Sequence, residues 1–334
     1  MKPSSFILLA AGTFAITTAK LVACIWDTDT MAAERSRMPD VADLIAGNFP
    51  RHSREFHAWR RLQGEKLIER RAAHVGTYDD LAVSLHKMGD HKLAIETMRT
   101  KELLFPGLYE TRSNLGTFYI YTGQLNEALK SIEEALVINP NAHFDREKYQ
   151  HWLVEWIQER QKAGAGKPQE NERFERAMGK PFGFALFVAR KESARAGHVD
   201  KPEITLRQLD DAIFGVSGMM RFADFDNPLL LEALGDLLLA GDVRTNVAQL
   251  ACLSYLHASR KAVDEKERER LLALAQSAGA VTPDFKLGRY EKLLDADLAK
   301  GSALAEKIRQ DEIAWIAAGK DASAEFKKKY LPKK

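Results

Sequence analysis

Apolar and polar positions follow a helical period along most of this chain. Between Tyr109 and Tyr121, Leu115, Phe118 and Tyr119 fall on one face, and between Asn126 and Ile138 so do Ala128, Leu129, Ile132, Ala135 and Leu136. Gly123 separates the two runs, as glycine does where a helix must end at positive φ. Pro140 stops the second run, because proline has no N–H to donate and clashes with the preceding turn. Two antiparallel helices are expected here. The stretch from Tyr78 to Pro106 reads the same way, with Gly89-Asp90 at the turn and Ala94, Ile95 and Met98 on its second helix.

The two stretches also share a register. Leu81, Gly89, Ala94 and Pro106 recur 34 positions later as Leu115, Gly123, Ala128 and Pro140, and Ala82 is answered by Gly116. A fixed period with small residues at fixed points marks a helical hairpin that stacks on its neighbours. Gly116 lies inside a helix, where glycine costs about 1 kcal/mol relative to alanine. Close approach of the partner helix explains it.

Two hairpins need neighbours to cover their outer faces. Asp145 to Gln161 carries Tyr149, Trp152, Leu153, Trp156 and Ile157 as a broad stripe and reads as a capping helix or a decayed third unit. Upstream, Ser53 is placed to cap a helix running to about Arg71, with Phe56, Trp59, Leu62, Leu67 and Ile68 inward. Downstream, Pro228 to Ala240 and Thr245 to Ala262 repeat the design, with Leu234-Gly235 in the first helix, Gly241-Asp242 at the turn, and Ala248, Ala251 and Tyr255 in the second. Leu206, Leu209 and Ile213 space a helix after Pro202, and Glu265 to Ala275 and Phe285 to Ala318 are helical too. No run of alternating strands is present. The expected fold is all-α, a helix-turn-helix repeat solenoid with additional helical hairpins. Its parts are a signal segment (1–23), flanking helices (24–74), repeats with a cap (75–162), a linker rich in Gly, Pro and charge (163–183), and a C-terminal helical region (184–334) with a degenerate hairpin at 228–262.

The repeated stretches resemble the tetratricopeptide repeat. Tyr78, Leu81, Ala82, Gly89, Ala94 and Pro106 match its pattern in the first unit. Leu115, Gly116, Tyr119, Gly123, Ala128, Ala135 and Pro140 match in the second. The resemblance implies a concave face built from first helices. Its groove residues would be Asp79, Asp80, Val83, His86 and Lys87, then Glu110, Ser113, Asn114, Thr117 and Tyr121. Asn114 matches the asparagine of the family's clamp for peptide C-termini. Asp79 and Val83 stand where that clamp has lysine and asparagine, which disfavours chaperone tails. A mixed polar groove suits an extended peptide or a partner helix. The alternative is a groove filled by the chain's own segments.

The N-terminus speaks to location. Lys2 followed by the apolar run Phe6 to Ala19, too short for a comfortable membrane span, describes a secretory signal. Leu21-Val22-Ala23-Cys24 resembles the bacterial lipobox, in which the cysteine is lipidated, although Lys20 interrupts the apolar stretch; Thr17-x-Ala19 offers plain cleavage instead. An uncleaved helix that simply packs is the third possibility. With Cys24 lipidated, Cys252 would be the one remaining thiol, and its apolar surroundings make it a small buried hydrophobe.

Charge and motifs add little. With 49 basic and 47 acidic residues the net charge is +2, no footprint for nucleic acid. Trp26-Asp27-Thr28-Asp29-Thr30 after an apolar stretch resembles the opening of haloacid-dehalogenase phosphatases, but the strands of that fold are missing, so it reads as an acidic, solvated start to the mature chain. Gly164-Ala165-Gly166-Lys167-Pro168 has the wrong spacing for a phosphate loop. His52 with His57, and His86 with His91, are five apart rather than the four that would put two metal ligands on one helix face. Neither a metal nor a cofactor is expected. Lys327, Lys328, Lys329, Lys333 and Lys334 read as a frayed, solvated tail. The expected function is a non-enzymatic scaffold for a protein or peptide partner in the periplasm or cell envelope, held at the membrane where the N-terminus is lipidated. It resembles envelope lipoproteins that carry such repeats. The alternative is an enzyme with a catalytic C-terminal helical lobe.

Overall fold

The computed structural model describes residues 25–34, 38–140, 146–163, 181–198, 202–241 and 245–331. The signal segment, Cys24, most of the linker including Gly164 to Pro168, Asp242, and Lys333 with Lys334 lie outside the described residues. Among those described, every regular element is a helix.

The repeat pair is α4 (Val75–Lys87) with α5 (His91–Leu104), then α6 (Tyr109–Tyr121) with α7 (Leu125–Ile138). Gly89 and Gly123 sit at φ 95° and 75° just past the first helices, where a side chain would be strained. A Cβ on Gly116 would lie 2.6 Å from Cγ1 of Ile132, so the glycine is what lets α6 and α7 close. The first unit solves the same contact differently: its equivalent pair, thirty-four residues earlier, is Ala82 with Met98, both fully buried. An unbranched side chain leaves room for a Cβ that isoleucine does not.

Neighbours cover both ends of the pair. Before it, α3 (Arg54–Glu69) packs on α4, with Ser53 capping its start by accepting from Phe56 N–H. After it, α8 (Arg146–Ala163) packs on α7 and buries Tyr149, Trp152, Leu153, Trp156 and Ile157. The remaining helices are α9 (Gly183–Arg195), α10 (Leu206–Phe222), α11 (Pro228–Leu239), α12 (Thr245–Lys261) and α13 (Glu265–Gly279), each packed on the next. The hairpin α11–α12 reuses the glycine device, with Gly235 against the ring of Tyr255. The 31-residue helix α14 (Leu287–Ala317) runs back to touch α12, the short α2 (Val41–Ala46) and α3, so the last helices meet the first. The chain then turns at Gly319 into α15 (Ala322–Tyr330).

Three expectations are corrected. In α3, Leu62 is 53% exposed and Leu67 38%; the buried stripe is Phe56, His57, Arg60 and Gly64. Leucines mark the inward face by hydrophobicity alone, but an arginine with carboxylate partners occupies the core position. Leu206, which with Leu209 and Ile213 spaces the helix expected after Pro202, opens α10 and points to solvent; Leu209, Ala212 and Val216 are buried. Asp27 and Asp29 are not a solvated start: they are 3% and 7% exposed, at the head of α1 (Thr28–Glu34). The basic tail is not frayed as far as Leu331. Asp321 caps α15 by accepting from Ala324 N–H, and Phe326 is buried beneath it.

Candidate functional site: the concave face of the repeats

Each repeat period brings one residue of α4 and one of α6 to the same height on the concave face. Asp80 and Asn114 form one such pair, Lys87 and Tyr121 another. The structure puts each pair to a common use.

The upper pair holds the segment that begins at Ile25. The amide of Trp26 donates to Asn114 Oδ1 at 2.9 Å, and Asn114 Nδ2 donates to the Trp26 carbonyl at 2.9 Å. One side chain thus satisfies both backbone groups of Trp26. Two residues on, the amide of Thr28 donates to Asp80 Oδ1 at 3.0 Å and its hydroxyl donates to the same carboxylate at 2.7 Å. The Trp26 indole meets Tyr109, at the start of α6, edge to face at 5.5 Å. Ile25 is buried in the main core.

Arg60 anchors the acidic residues of the same segment. Its guanidinium donates to Asp27 at 2.6 Å, to Asp29 at 2.7 Å and to Ser84 at 2.7 Å. Asp27 also accepts from the amide of Thr30, capping α1. Burial opposes ionisation of Asp29, yet Arg60, His52 and Lys327 together hold its carboxyl well below the usual range. On the far side, α15 supplies Ser323, whose hydroxyl donates to Asp29, and Lys327, 3.0 Å from it. His52, stacked on Phe56, bonds Glu312 of α14 at 2.6 Å. At the other end of α1, Glu34 pairs with Arg146 of α8.

The lower pair holds a second part of the chain. Lys87 Nζ donates to the carbonyls of Phe222 and Ala223 at 2.9 and 2.6 Å, where α10 ends and its dipole is negative. The Tyr121 hydroxyl donates to Asp224 at 2.8 Å. Burial lowers the Lys87 ammonium and raises the Tyr121 phenol well above its ordinary value, to which Asp224 adds.

The remaining groove residues are also engaged. Asp79 accepts from Lys101 Nζ at 2.7 Å through both oxygens, and burial still pushes its carboxyl up to about 7 against that attraction. Its repeat partner Ser113 donates to Glu147 at 3.1 Å. Val83 packs in the core, while Thr117 accepts from Gln150 at 3.3 Å. His86 lies between Phe118 and Tyr121 and bonds His91 at 3.0 Å; burial, with Lys87 and His91 nearby, lowers its imidazole well below the ordinary range. Glu110 is half-buried in the first turn of α6. Asp80, Asn114, Lys87 and Tyr121 are thus met by segments of the chain itself, while Asp79, His86, Ser113 and Thr117 bond neighbouring helices of the repeats and cap.

Sequence reasoning missed Trp26, Arg60, Lys101 and Asp224. One signal was available. Lys101 stands a full repeat before Ala135, a buried slot, and Asp79 before Ser113, so the period itself pairs an ammonium with a carboxylate in the core. Nothing local marks Arg60, whose partners come from a different segment. Away from this face, Cys252 is buried and its thiol is pushed up to about 12. Among the described residues no group of three or more His, Cys, Asp or Glu has the placement to hold a metal ion, and no helix is long and apolar enough to cross a membrane.

Residues 109–142, which span α6 and α7, match the family model described as Tetratricopeptide repeat. Neither the curated proteins nor the solved structures compared with the chain give a match.

Proposed function

We propose, from the premise that this is a tetratricopeptide-repeat protein, that it is a non-enzymatic adaptor of the cell envelope whose concave face grips an extended segment of a protein partner. A repeat of this family is a protein–protein interaction module. The observation that carries the reading is the two-point hold of Asn114 on the Trp26 backbone, which is how a groove takes main chain irrespective of side chain. A buried polar cluster elsewhere does not compete with it. Asp236, pushed up to about 8 by burial and by Glu232, accepts from Phe184 N–H and the Tyr255 hydroxyl, so it ties α9 and α12 to α11.

Export is supported by Lys2, the apolar run Phe6 to Ala19 and the lipobox-like residues up to Cys24. Two experiments test the proposal. Intact-mass analysis of native protein should find a chain lacking its first 19 to 23 residues. A diacylglyceryl gain abolished by Cys24→Ala selects lipidation over plain cleavage; full-length chain in the cytosol contradicts export. Crosslinking and affinity isolation from intact envelopes should recover a partner that is lost in the double variant Asn114→Ala, Tyr121→Ala at unchanged helical content. Unaltered capture by that variant moves the partner site off the concave face.

A further inference from the structure

We propose that residues 25–34 are a resident ligand of the concave face, and that the face selects peptides of the same class: an aromatic residue followed by carboxylates at the first and third positions after it, leading into a helix. The inference rests on the adaptor reading above and names the partner's chemistry.

Three recognitions converge on ten residues. Asn114 takes the backbone of Trp26, and Asp80 takes the backbone and hydroxyl of Thr28. These are repeat-equivalent side chains meeting main chain two residues apart, so the spacing of the hairpins is matched to the backbone that leads into α1. Tyr109 supplies a flat edge for an aromatic side chain. Arg60 is a fully buried cation in α3, outside the repeat pair, and its two carboxylate partners at hydrogen-bond distance come from this segment alone: Asp27 and Asp29. A buried guanidinium without carboxylates would be costly. The site is therefore built for acidic groups at those two positions, and a neutral peptide of equal length would leave Arg60 without them.

The hold is closed by α15 from the opposite side, through Ser323 and Lys327 on Asp29. A competing peptide meets a groove already filled, so its apparent affinity falls by the fraction of molecules in which the segment has left. Loosening the segment without touching the groove should restore that affinity.

The test uses the full chain and a fluorescently labelled peptide of residues 25–34, titrated by anisotropy. Two full-length variants loosen the resident segment: Trp26→Ala, which removes the aromatic contact and keeps both carboxylates, and the pair Asp27→Asn, Asp29→Asn. At least one of them, with helical content equal to the parent protein, should bind the peptide about tenfold or more tightly than the parent does. The peptide carrying asparagine at both acidic positions should bind the same variant about tenfold or more weakly, and a scrambled peptide should not bind. Failure of both folded variants to bind, or equal binding of the scrambled peptide, overturns the proposal. Loss of peptide binding with partner capture intact would overturn this inference and leave the adaptor reading standing. Peptide binding with no partner recovered from envelopes would do the reverse.

Discussion

The two repeat hairpins share a backbone and differ in the chemistry of the same positions. In α4–α5 the inner face carries Asp79, Asp80, His86 and Lys87, with Lys101 reaching across from the second helix. In α6–α7 the equivalent residues are Ser113, Asn114, Ile120, Tyr121 and Ala135. The period decides which position faces the groove, and the side chain decides what is gripped there. A carboxylate in the first unit and an amide in the second both hold main chain of one segment; an ammonium holds the end of α10 and a phenol the turn just after it. Buried charge makes the first unit depend on its partners more than the second does.

Exchanging residues between the units should perturb the protein in graded steps. The largest effect is expected for Lys101→Met, which leaves Asp79 buried without its cation; such removals cost about 3–5 kcal/mol. Adding Asp79→Ala should recover at least half, since replacing a whole buried pair by apolar groups is often neutral. Chemical denaturation of the three proteins measures it, and a single variant as stable as the parent would show the pair contributes nothing.

Gly116→Ala gives the second unit the first unit's residue, and its Cβ meets Ile132. Overpacking of this kind costs about 1–3 kcal/mol, against less than about 1 kcal/mol regained in helix propensity. Adding Ile132→Met, which completes the Ala–Met pair of the first unit, should restore stability. A cycle with no coupling between the two sites would mean the glycine contact is not what brings α6 and α7 together.

His86→Ile copies Ile120. The folded imidazole is held neutral, its pKa well below the unfolded value, so its contribution is present above about pH 6.5 and is lost as pH falls below that, when the unfolded chain takes up a proton. His57 and His257 act in the same direction, each lowered first by burial. The variant should reduce the acid-side fall in stability by up to about 1.4 kcal/mol per pH unit. An unchanged slope between pH 6 and 5, read from melts at roughly those two values, would exclude His86 as a contributor.

The smallest change is expected for Asp80→Asn. The amide oxygen still accepts from Thr28, and the attraction lost is to an Arg60 nitrogen 3.8 Å away. Stability should shift by less than about 1 kcal/mol. A much larger loss would make Asp80 a full third partner of Arg60.

The legible parts of the fold are those in which partners lie close in sequence. The hairpins, their turns and the Gly116 contact were readable because each rests on residues within one period of each other. The pairing of Asp80 with Asn114 and of Lys87 with Tyr121 follows from the same period. What covers that surface was not readable. Trp26 and Asn114, Arg60 and Asp27, Asp29 and Lys327 are remote in sequence, and no periodicity links a charged residue to its partner. Arg60 was hidden by leucines that look more hydrophobic and turn out exposed, and α15 by a run of lysines that disguised the buried Phe326.

The concave face holds main chain of residues 25–34 through side chains at equivalent repeat positions. Hydrogen exchange at the Trp26 and Thr28 amides tests it directly. Both should be protected in the parent protein, and Asn114→Ala should speed exchange at Trp26 by about tenfold or more while the amides of α6 and α7 keep their protection. Unprotected exchange at Trp26 in the parent protein, or a rate indifferent to Asn114, would contradict it.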